Sequence, residues 1–595
     1  MGALAGFVGE TPSSDPIKSA RSLFDPLIPR RGSDFQAYAI GNAWVATLRD
    51  HGTHIWSNDS MIVAVHGAID NLDQLLAGND GSHSIDTSNP AAVVATIATR
   101  QSPEKWAAQL KGAFTALVTD GSHMWVVRDH VGLRPVFMHR NEDGWYVATE
   151  AKQLHGVMQR TEPNLTYLQE LLFGGESGAT VAFHGIDRVP RSSTTRLSPG
   201  EPSRSTRYWD PARFVETSDV RDPSVAAEII RGLIDQAVTR SVTGNDVLAL
   251  SGGLDSTTIA AFAAEPHLEA SGGHRLKALS AVYPDHPSVD ESDLIDAVAK
   301  YKDLESHTFQ LKARPLDDLS NWVGLLDGPG YTPSVPEIHE MYQEASKLGA
   351  TTILTGELAE YVFSMRYQTL GHLVWNRRWR ATRNLVAYDR SRGRGWLSFA
   401  REVGRSLAPS PILHARSRVQ GTKTLPPWVS TSALPWFTDR GRIPSVGDRW
   451  PTIQLQPIRG AHAVSFDDVD VASSLPGISV RHPLVDRDLW EFALSLRAEV
   501  KYPTLQPKAL MRMAMDGLLP PEIVERRDKT YFDEAGLEKI DRKELARWIS
   551  TGDHRFDGVD YELLRQRLES GDMTLKELEW AKSLARCHAF LARWE

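Results

Sequence analysis

Six consecutive residues, Ser251-Gly252-Gly253-Leu254-Asp255-Ser256, follow the apolar run Val247-Leu248-Ala249-Leu250 and precede Thr257-Thr258-Ile259-Ala260-Ala261. A buried strand that feeds a glycine-rich turn and then a helix aims backbone N–H groups, hydroxyls and a helix N-terminus at one point. That geometry suits an anion, and a pyrophosphate most of all. A lone carboxylate such as Asp255 would repel phosphate, but it fits if a divalent cation lies between the two. The lysine of the other widespread phosphate loop is missing, so this is a different nucleotide turn. The chemistry implied is Mg-ATP gripped by its pyrophosphate, which departs and leaves an adenylate. A ligand-free glycine turn is the competing reading. Leu250, Ser251, Gly252, Gly253, Leu254, Asp255 and Ser256 are the candidate nucleotide contacts.

These residues need a rigid sheet behind them. A helix is expected over 225–239, strands over 247–250, 276–283 and 352–355, and helices over 291–300 and 337–348. Alternating strand and helix implies a parallel sheet with helices on both faces, and ligands then sit at the carboxyl ends of the strands. Ser251 and Thr355 fall at such ends. The first third reads differently. Short apolar or alternating runs at 61–65, 113–118, 124–127, 135–139 and 145–148, punctuated by Gly, Asn and Asp, predict antiparallel sheet in two packed layers. The Pro-, Ser- and Thr-rich stretch 196–220 reads as the connection between the halves.

With 595 residues the chain exceeds what one core serves, and two or more domains are expected. A net charge of −9 argues against a dedicated nucleic-acid binder. Cys587 is the only cysteine, which rules out an internal disulfide or a cysteine-rich metal site and fits a reducing compartment. The first ten residues lack a basic signal-peptide region, Gly6 stands where a myristoylation signal wants Ser or Thr, and no apolar run is long enough to span a bilayer. A cytoplasmic protein without nucleic-acid or membrane partners is expected. Between Gly371 and Arg418, arginines crowd around Trp375, Trp379 and Trp396, opposed only by Asp389 and Glu402. Two readings stand: a surface for an acidic or partner polypeptide, or solvated basic helices with their tryptophans in the core.

Three further constellations accompany the phosphate turn. Thr355-Gly356-Glu357-Leu358-Ala359-Glu360 places two carboxylates beside a glycine turn, Arg481-His482-Pro483-Leu484-Val485-Asp486 precedes an amphipathic stretch, and Lys508-Ala509-Leu510-Met511-Arg512 leads to Arg526-Arg527-Asp528-Lys529. In this order they resemble the synthetase domain of the asparagine synthetase family. His66-Gly67-Ala68-Ile69-Asp70-Asn71, Leu110-Lys111-Gly112-Ala113-Phe114, the segment Arg128 to Pro135 and Ala148-Thr149-Glu150-Ala151-Lys152 resemble that family's glutaminase domain. The resemblance implies an Ntn-type antiparallel sandwich with helices over residues 1–210. It implies an α/β synthetase domain over 211–595, with the Arg/Trp-rich insertion at about 365–470.

One departure decides the chemistry. A glutaminase of this type uses a cysteine directly after the initiator methionine, and here that residue is Gly2. Glycine cannot attack an amide, and Cys587 lies in a distant helical segment. The amine must therefore come from something other than glutamine. Two related groups have lost the cysteine likewise: β-lactam synthetases, which close a small amino acid, and lasso peptide cyclases, which join a peptide's N-terminal amine to an Asp or Glu side chain. The Arg/Trp-rich insertion and the chain length favour the second. The resemblance then implies ATP and Mg²⁺ as cofactors, with Asp255 and Glu360 on the metal and Gly356 beside the nucleotide. Lys529, assisted by Arg527, would stabilise charge on the phosphate and the tetrahedral intermediate, and Glu357 would take the amine's proton. It implies a leader-free core peptide as substrate, and a leader peptidase and leader-binding protein as partners. Glu360 stands where the family has Asp, and its extra methylene moves the carboxylate by about 1.5 Å at a metal strict about geometry. On local grounds alone Lys529 reads as a surface lysine, Glu357 as a helix N-terminal carboxylate, and Arg481, His482 and Asp486 as structural. A β-lactam-type cyclase of a small amino acid and a non-catalytic binding protein that kept the fold are the alternatives.

Overall fold

The computed structural model describes residues 2–594 except 13–14, 28–30, 32–33, 51, 78–87, 174–179, 333, 364–368, 392, 417–424, 431–443, 460–464, 505, 527–538 and 551–555. The N-terminal part is two six-stranded antiparallel sheets packed face to face. In one, Ala3–Gly9 pairs with Ala43–Leu48 and Gly144–Ala148; in the other, Ile62–Ile69 pairs with Thr53–Ser57 and Gly112–Thr119. The alternation seen in the sequence puts Leu4, Val8, Val45, Ala64, Leu117, Val126 and Val147 into the space between the sheets. Helix Pro90–Ala98 covers the outer face of the second sheet; Asn89 caps it by accepting from the Ala91 N–H, and Pro90 opens it.

The stretch expected as a connection contributes structure instead. Ser193–Leu197 and Arg204–Arg207 form an antiparallel pair that extends the second sheet, and Trp209 is buried in the core of the second half. Arg204–Arg207 is exposed along its length, so no apolar pattern marks this edge strand as sheet.

The second half is built on a five-stranded parallel sheet in the order Glu305–Gln310, Lys277–Val282, Asp246–Ala249, Thr352–Leu354, Ser479–Arg481. The sheet and its helices follow the expected plan: Pro223–Ser241, Leu254–Ala270, Ser292–Tyr301 and Val335–Lys347. The strands at the two edges were not expected; Glu305–Gln310 alternates half-buried and exposed residues that are polar except for Phe309, and Ser479–Arg481 is too short to show a period. The central strand Asp246–Ala249 is followed in sequence by its neighbour on one side and later by its neighbour on the other. The chain therefore reverses its direction of growth there, and a crevice opens at the carboxyl ends of Asp246–Ala249 and Thr352–Leu354.

The C-terminal helices return to the first domain. Helix Leu575–Trp594 shares one core with N-terminal residues: Cys587, Leu591 and Phe590 lie with Leu168, Val181 and Phe183. The rings of Phe183 and Phe590 are 5.3 Å apart. Among the described residues no helix is long and apolar enough to cross a membrane.

Candidate active site

A cleft of about 590 Å³ occupies the crevice, lined by Leu250, Ser251, Asp255, Ser256, Gly356, Glu357 and Glu360 among others. Sequence order explains the convergence: Ser251 follows one strand, Thr355 follows its neighbour, and both turns emerge at the same edge. The phosphate turn is held from within. Ser256 Oγ accepts from the Ser251 N–H at 3.0 Å and lies 2.9 Å from Ser251 Oγ, while Gly253 donates its N–H to Ser251 Oγ at 3.3 Å. Gly253 is the residue before helix Leu254–Ala270 and makes no side-chain cap, so the first N–H groups of the helix are available to a ligand. Gly356 lets the second turn touch the first: a Cβ there would lie 2.4 Å from Ser256 N and 2.5 Å from Asp255 C.

Two cations and a carboxylate that sequence reasoning left without roles complete this edge. The Lys508 ammonium pairs with the Asp255 carboxylate. Arg526 donates to Glu291 Oε1 at 2.8 Å and to the Gly252 carbonyl at 2.9 Å, and Glu291 Oε2 accepts from the Gly252 N–H at 2.9 Å. Both cations lie in the 508–529 segment that carried the family resemblance, which was the available signal. Arg527 and Lys529 lie outside the described residues.

Glu357 and Glu360 both face the cleft. Withdrawal from bulk water within the cleft, reinforced by the charge of Glu360, pushes the Glu357 carboxyl up to about 7, although its side chain remains 51% exposed to the open cleft. Leu358, between them, has φ +69°, a left-handed backbone that is costly for a leucine. This residue separates Glu357 from helix Ala359–Phe363, which carries Glu360. His482, read as structural from sequence, stands directly behind: its Nδ1 is 2.7 Å from Thr355 Oγ1 and 3.6 Å from Glu357 Oε2. Burial, with Arg134 and Arg481 nearby, pushes His482 down to about 3, so the imidazole is neutral. It serves as a hydrogen-bonding back wall rather than a charge. Its neighbours keep the structural roles expected of them: Asp486 caps helix Arg487–Ser495, and Arg481 bonds Asp70 at 2.5 Å.

The donor set fits Mg²⁺. That ion needs only one or two protein carboxylates when phosphates supply the remaining oxygens, and Asp255 and Glu360 line one cleft. Among the described residues there is no cluster of three or more His, Cys, Asp or Glu that could cage a metal without a phosphate ligand.

In the first domain the position of the glutaminase nucleophile carries no side chain. Gly2 is buried, and a Cβ there would lie 2.0 Å from the Leu48 carbonyl oxygen and 2.7 Å from Thr53 Oγ1. Cys587 is buried at 0% exposure, with its thiol pushed up to about 12 by desolvation. Asp129 accepts backbone N–H groups of Val131, Gly132, Leu133 and Arg134, and Arg128 donates to the carbonyls of Arg134, Val189 and Gly132. These bonds hold the family-like block in its turn, and His130 Nε2 lies 2.8 Å from the Val485 carbonyl of the second half. In the Arg/Trp-rich segment the tryptophans are not core: Trp375, Trp379 and Trp396 are 54%, 60% and 63% exposed.

A glycine turn between a parallel strand and a helix, bordered by carboxylates and cations at a sheet switch point, defines an α/β domain with a nucleotide-type site. The comparisons agree: "Asparagine synthase" matches residues 230–591 and "Glutamine amidotransferase domain" matches residues 49–156. The chain belongs to the asparagine synthase family, ATP-dependent, AMP-forming carbon–nitrogen ligases. It is 23% identical to asparagine synthetase [glutamine-hydrolyzing] 3 of Bacillus subtilis (strain 168), over 77% of this chain and 73% of the relative. It is 22% identical to asparagine synthetase [glutamine-hydrolyzing] 1 of the same organism, over 72% and 68%. Among solved structures, a glutamine phosphoribosylpyrophosphate amidotransferase from B. subtilis aligns at 14% identity and a TM-score of 0.27, over 51% of this chain and 80% of that one. A score that low carries no argument.

Proposed function

We propose that this chain is an ATP-dependent macrolactam synthetase of the lasso peptide cyclase type, acting on a leader-free peptide. The observation that carries the reading is the split between the two sites. The position that would bear a glutaminase nucleophile is Gly2, packed against Leu48 and Thr53, whereas the nucleotide cleft keeps its turn, its carboxylates and its cations. The amine must therefore come from something other than glutamine, and in this reading it is the peptide's own.

A peptide's Asp or Glu carboxylate attacks the α-phosphorus of ATP, forming an acyl-adenylate as pyrophosphate leaves along the Ser251–Ser256 turn. Asp255 and Glu360 would hold Mg²⁺, whose charge offsets that of the phosphates when it is bound. The peptide's α-amine then attacks the activated carbonyl, Glu357 accepts the amine proton, and AMP departs with its electron pair. A carboxylate with a pKa of about 7 is well matched to that transfer near neutrality. Folding of the peptide that holds amine and acyl group together contributes up to about 7–11 kcal/mol in well-oriented cases. Lys529 and Arg527 take the role of stabilising the phosphate and the tetrahedral oxyanion.

The exposed Trp375, Trp379, Trp396 and Leu397 beside Arg380, Arg383 and Arg401 favour a polypeptide over a small amino acid. A leader peptidase and a leader-binding protein are the partners this reading requires. The test is pyrophosphate release from Mg-ATP with leader-free peptides that carry Asp or Glu seven to nine residues from a free N-terminus, products weighed by mass spectrometry. AMP, pyrophosphate and a peptide lighter by one water, all lost in Asp255→Ala and Lys529→Ala, are expected. Turnover only with a small β-amino acid would move the assignment to β-lactam-type closure. ATP binding without turnover of either would leave a binding protein.

A further inference from the structure

We propose that the N-terminal domain, stripped of its nucleophile, has become the seat of one wall of the nucleotide cleft, with Asp470 as the positioning residue through which it acts. Helix Ser465–Ser474 belongs to the synthetase half and has two working faces. Ser465, Phe466 and Val469 line the cleft. The adjoining face carries Asp467 and Asp470 into the first domain, where Asp470 meets charges beside Gly2.

Asp470 Oδ2 accepts from Arg31 at 3.0 Å, and its Oδ1 accepts from Arg134 at 2.7 Å and lies 3.5 Å from His66 Nε2. Arg31 in turn donates to Glu150 Oε1 at 2.5 Å and to the Gly2 carbonyl at 2.8 Å. Glu150 pairs with Lys152, whose ammonium also reaches Asp327 of the synthetase half at 3.0 Å. Asp467 pairs with Arg188 at 2.5 Å. All these side chains are less than a tenth exposed. On another side of the helix, Asp468 Oδ2 accepts the backbone N–H groups of Tyr331 and Thr332, both at 2.7 Å, and those residues line the cleft as well.

Buried charges of this kind are rigid because a displaced partner leaves the other uncompensated in a medium that does not solvate it. The helix is thereby locked at the angle that the first domain sets. Its cleft residues, with Tyr331, Met341 and Tyr342, line the same cleft as the phosphate turn but come from other segments. With the phosphates assigned to Ser251, Asp255, Ser256 and Gly356, these other segments form the wall we assign to the carboxylate-bearing substrate. The assignment of that wall to the acyl substrate rests on the ligase reading; the locking of the helix does not.

The experiment uses the full chain with Asp470→Asn, and with Arg134→Gln as a milder change that keeps Asp470 paired to Arg31. Lys111→Gln is the control: the Lys111–Asp488 bridge, 2.6 Å, also joins the two domains but does not touch the helix. Backbone hydrogen exchange is read over 465–474, 331–332 and 251–256, together with Mg-ATP affinity and KM for the peptide. The expected result is at least tenfold faster exchange at 465–474 and 331–332 in both variants, a KM at least fivefold higher, and Mg-ATP affinity within twofold of wild type. Lys111→Gln changes none of these. Unchanged exchange at 465–474 in a folded variant overturns the proposal, and so does acceleration that includes 251–256 with a parallel loss of Mg-ATP affinity. If the wild type turns over no peptide, the ligase reading falls and the exchange data alone decide the locking.

Discussion

Replacing Gly356 with alanine tests whether the two turns form one nucleotide site. The new Cβ would meet Ser256 N at 2.4 Å and Asp255 C at 2.5 Å, both backbone atoms that cannot rotate aside. Regaining ordinary contact, which begins at 3.4 Å, requires the turns to part by about 1 Å, and a displacement of that size at a reacting centre costs up to about 10²-fold in rate. The overpacking itself costs about 1–3 kcal/mol, which a domain with several buried cores tolerates, so the variant is expected to fold. Mg-ATP affinity should fall by about 10- to 100-fold, equivalent to about 1.4–2.8 kcal/mol, measured by titration calorimetry, with pyrophosphate release reduced at least as much. Gly232→Ala is the matched control, because no atom lies within 4 Å of its Cβ position and the residue is inside helix Pro223–Ser241. Wild-type nucleotide affinity in Gly356→Ala would refute the claim that close approach of the turns builds the site.

Glu357 sets a pH dependence of definite sign. Its folded-state value, about 7, lies above the ordinary carboxylate range, so the stability it contributes is present at acid pH and lost as pH rises through about 7. Glu357→Gln should raise the melting temperature more at pH 8 than at pH 5, and equal shifts at the two pH values would contradict the assignment. As the proton acceptor, the same group gives wild-type turnover a limb that rises through about pH 7; Glu360→Gln, which removes the neighbouring charge, should move that limb to lower pH. Gly2→Cys should yield no glutaminase activity and a lower melting temperature, since its Cβ has no room, while thiol alkylation of the native protein leaves turnover intact because Cys587 is buried. Trp375→Ser/Trp379→Ser should weaken peptide binding by about 1–2 kcal/mol with ATP affinity unchanged; equal loss for a small amino-acid substrate would refute a polypeptide-binding role for this surface.

Much of the site could be read before any coordinates because its residues are contiguous with the elements that aim them. Ser251 to Ser256 and Gly356 to Glu360 each lie immediately after an apolar strand, and a parallel sheet brings such ends together. His482, Lys508, Glu291 and Arg526 were harder to place. They reach the site from separate segments, and nothing in a single chain says that Lys508 will meet Asp255 or that His482 will stand behind Glu357. The tryptophans at 375, 379 and 396 could be core or surface until packing was known, since aromatic residues at helical spacing suit both. The edge strands Arg204–Arg207 and Glu305–Gln310 escaped notice for a related reason: a strand whose side chains meet water carries no apolar period.

The shared core of Leu168, Phe183 and the Leu575–Trp594 helix bears on how the protein is made. Phe183 finds its partner Phe590 only after some 400 further residues have been translated, about 20 to 80 s at usual elongation rates. Until then one outer face of the first sandwich stays bare on the ribosome, apolar and open to wrong partners. Helix Leu575–Trp594 is thus a closing stitch in biogenesis, and the nascent chain keeps this apolar face open until that helix has been made.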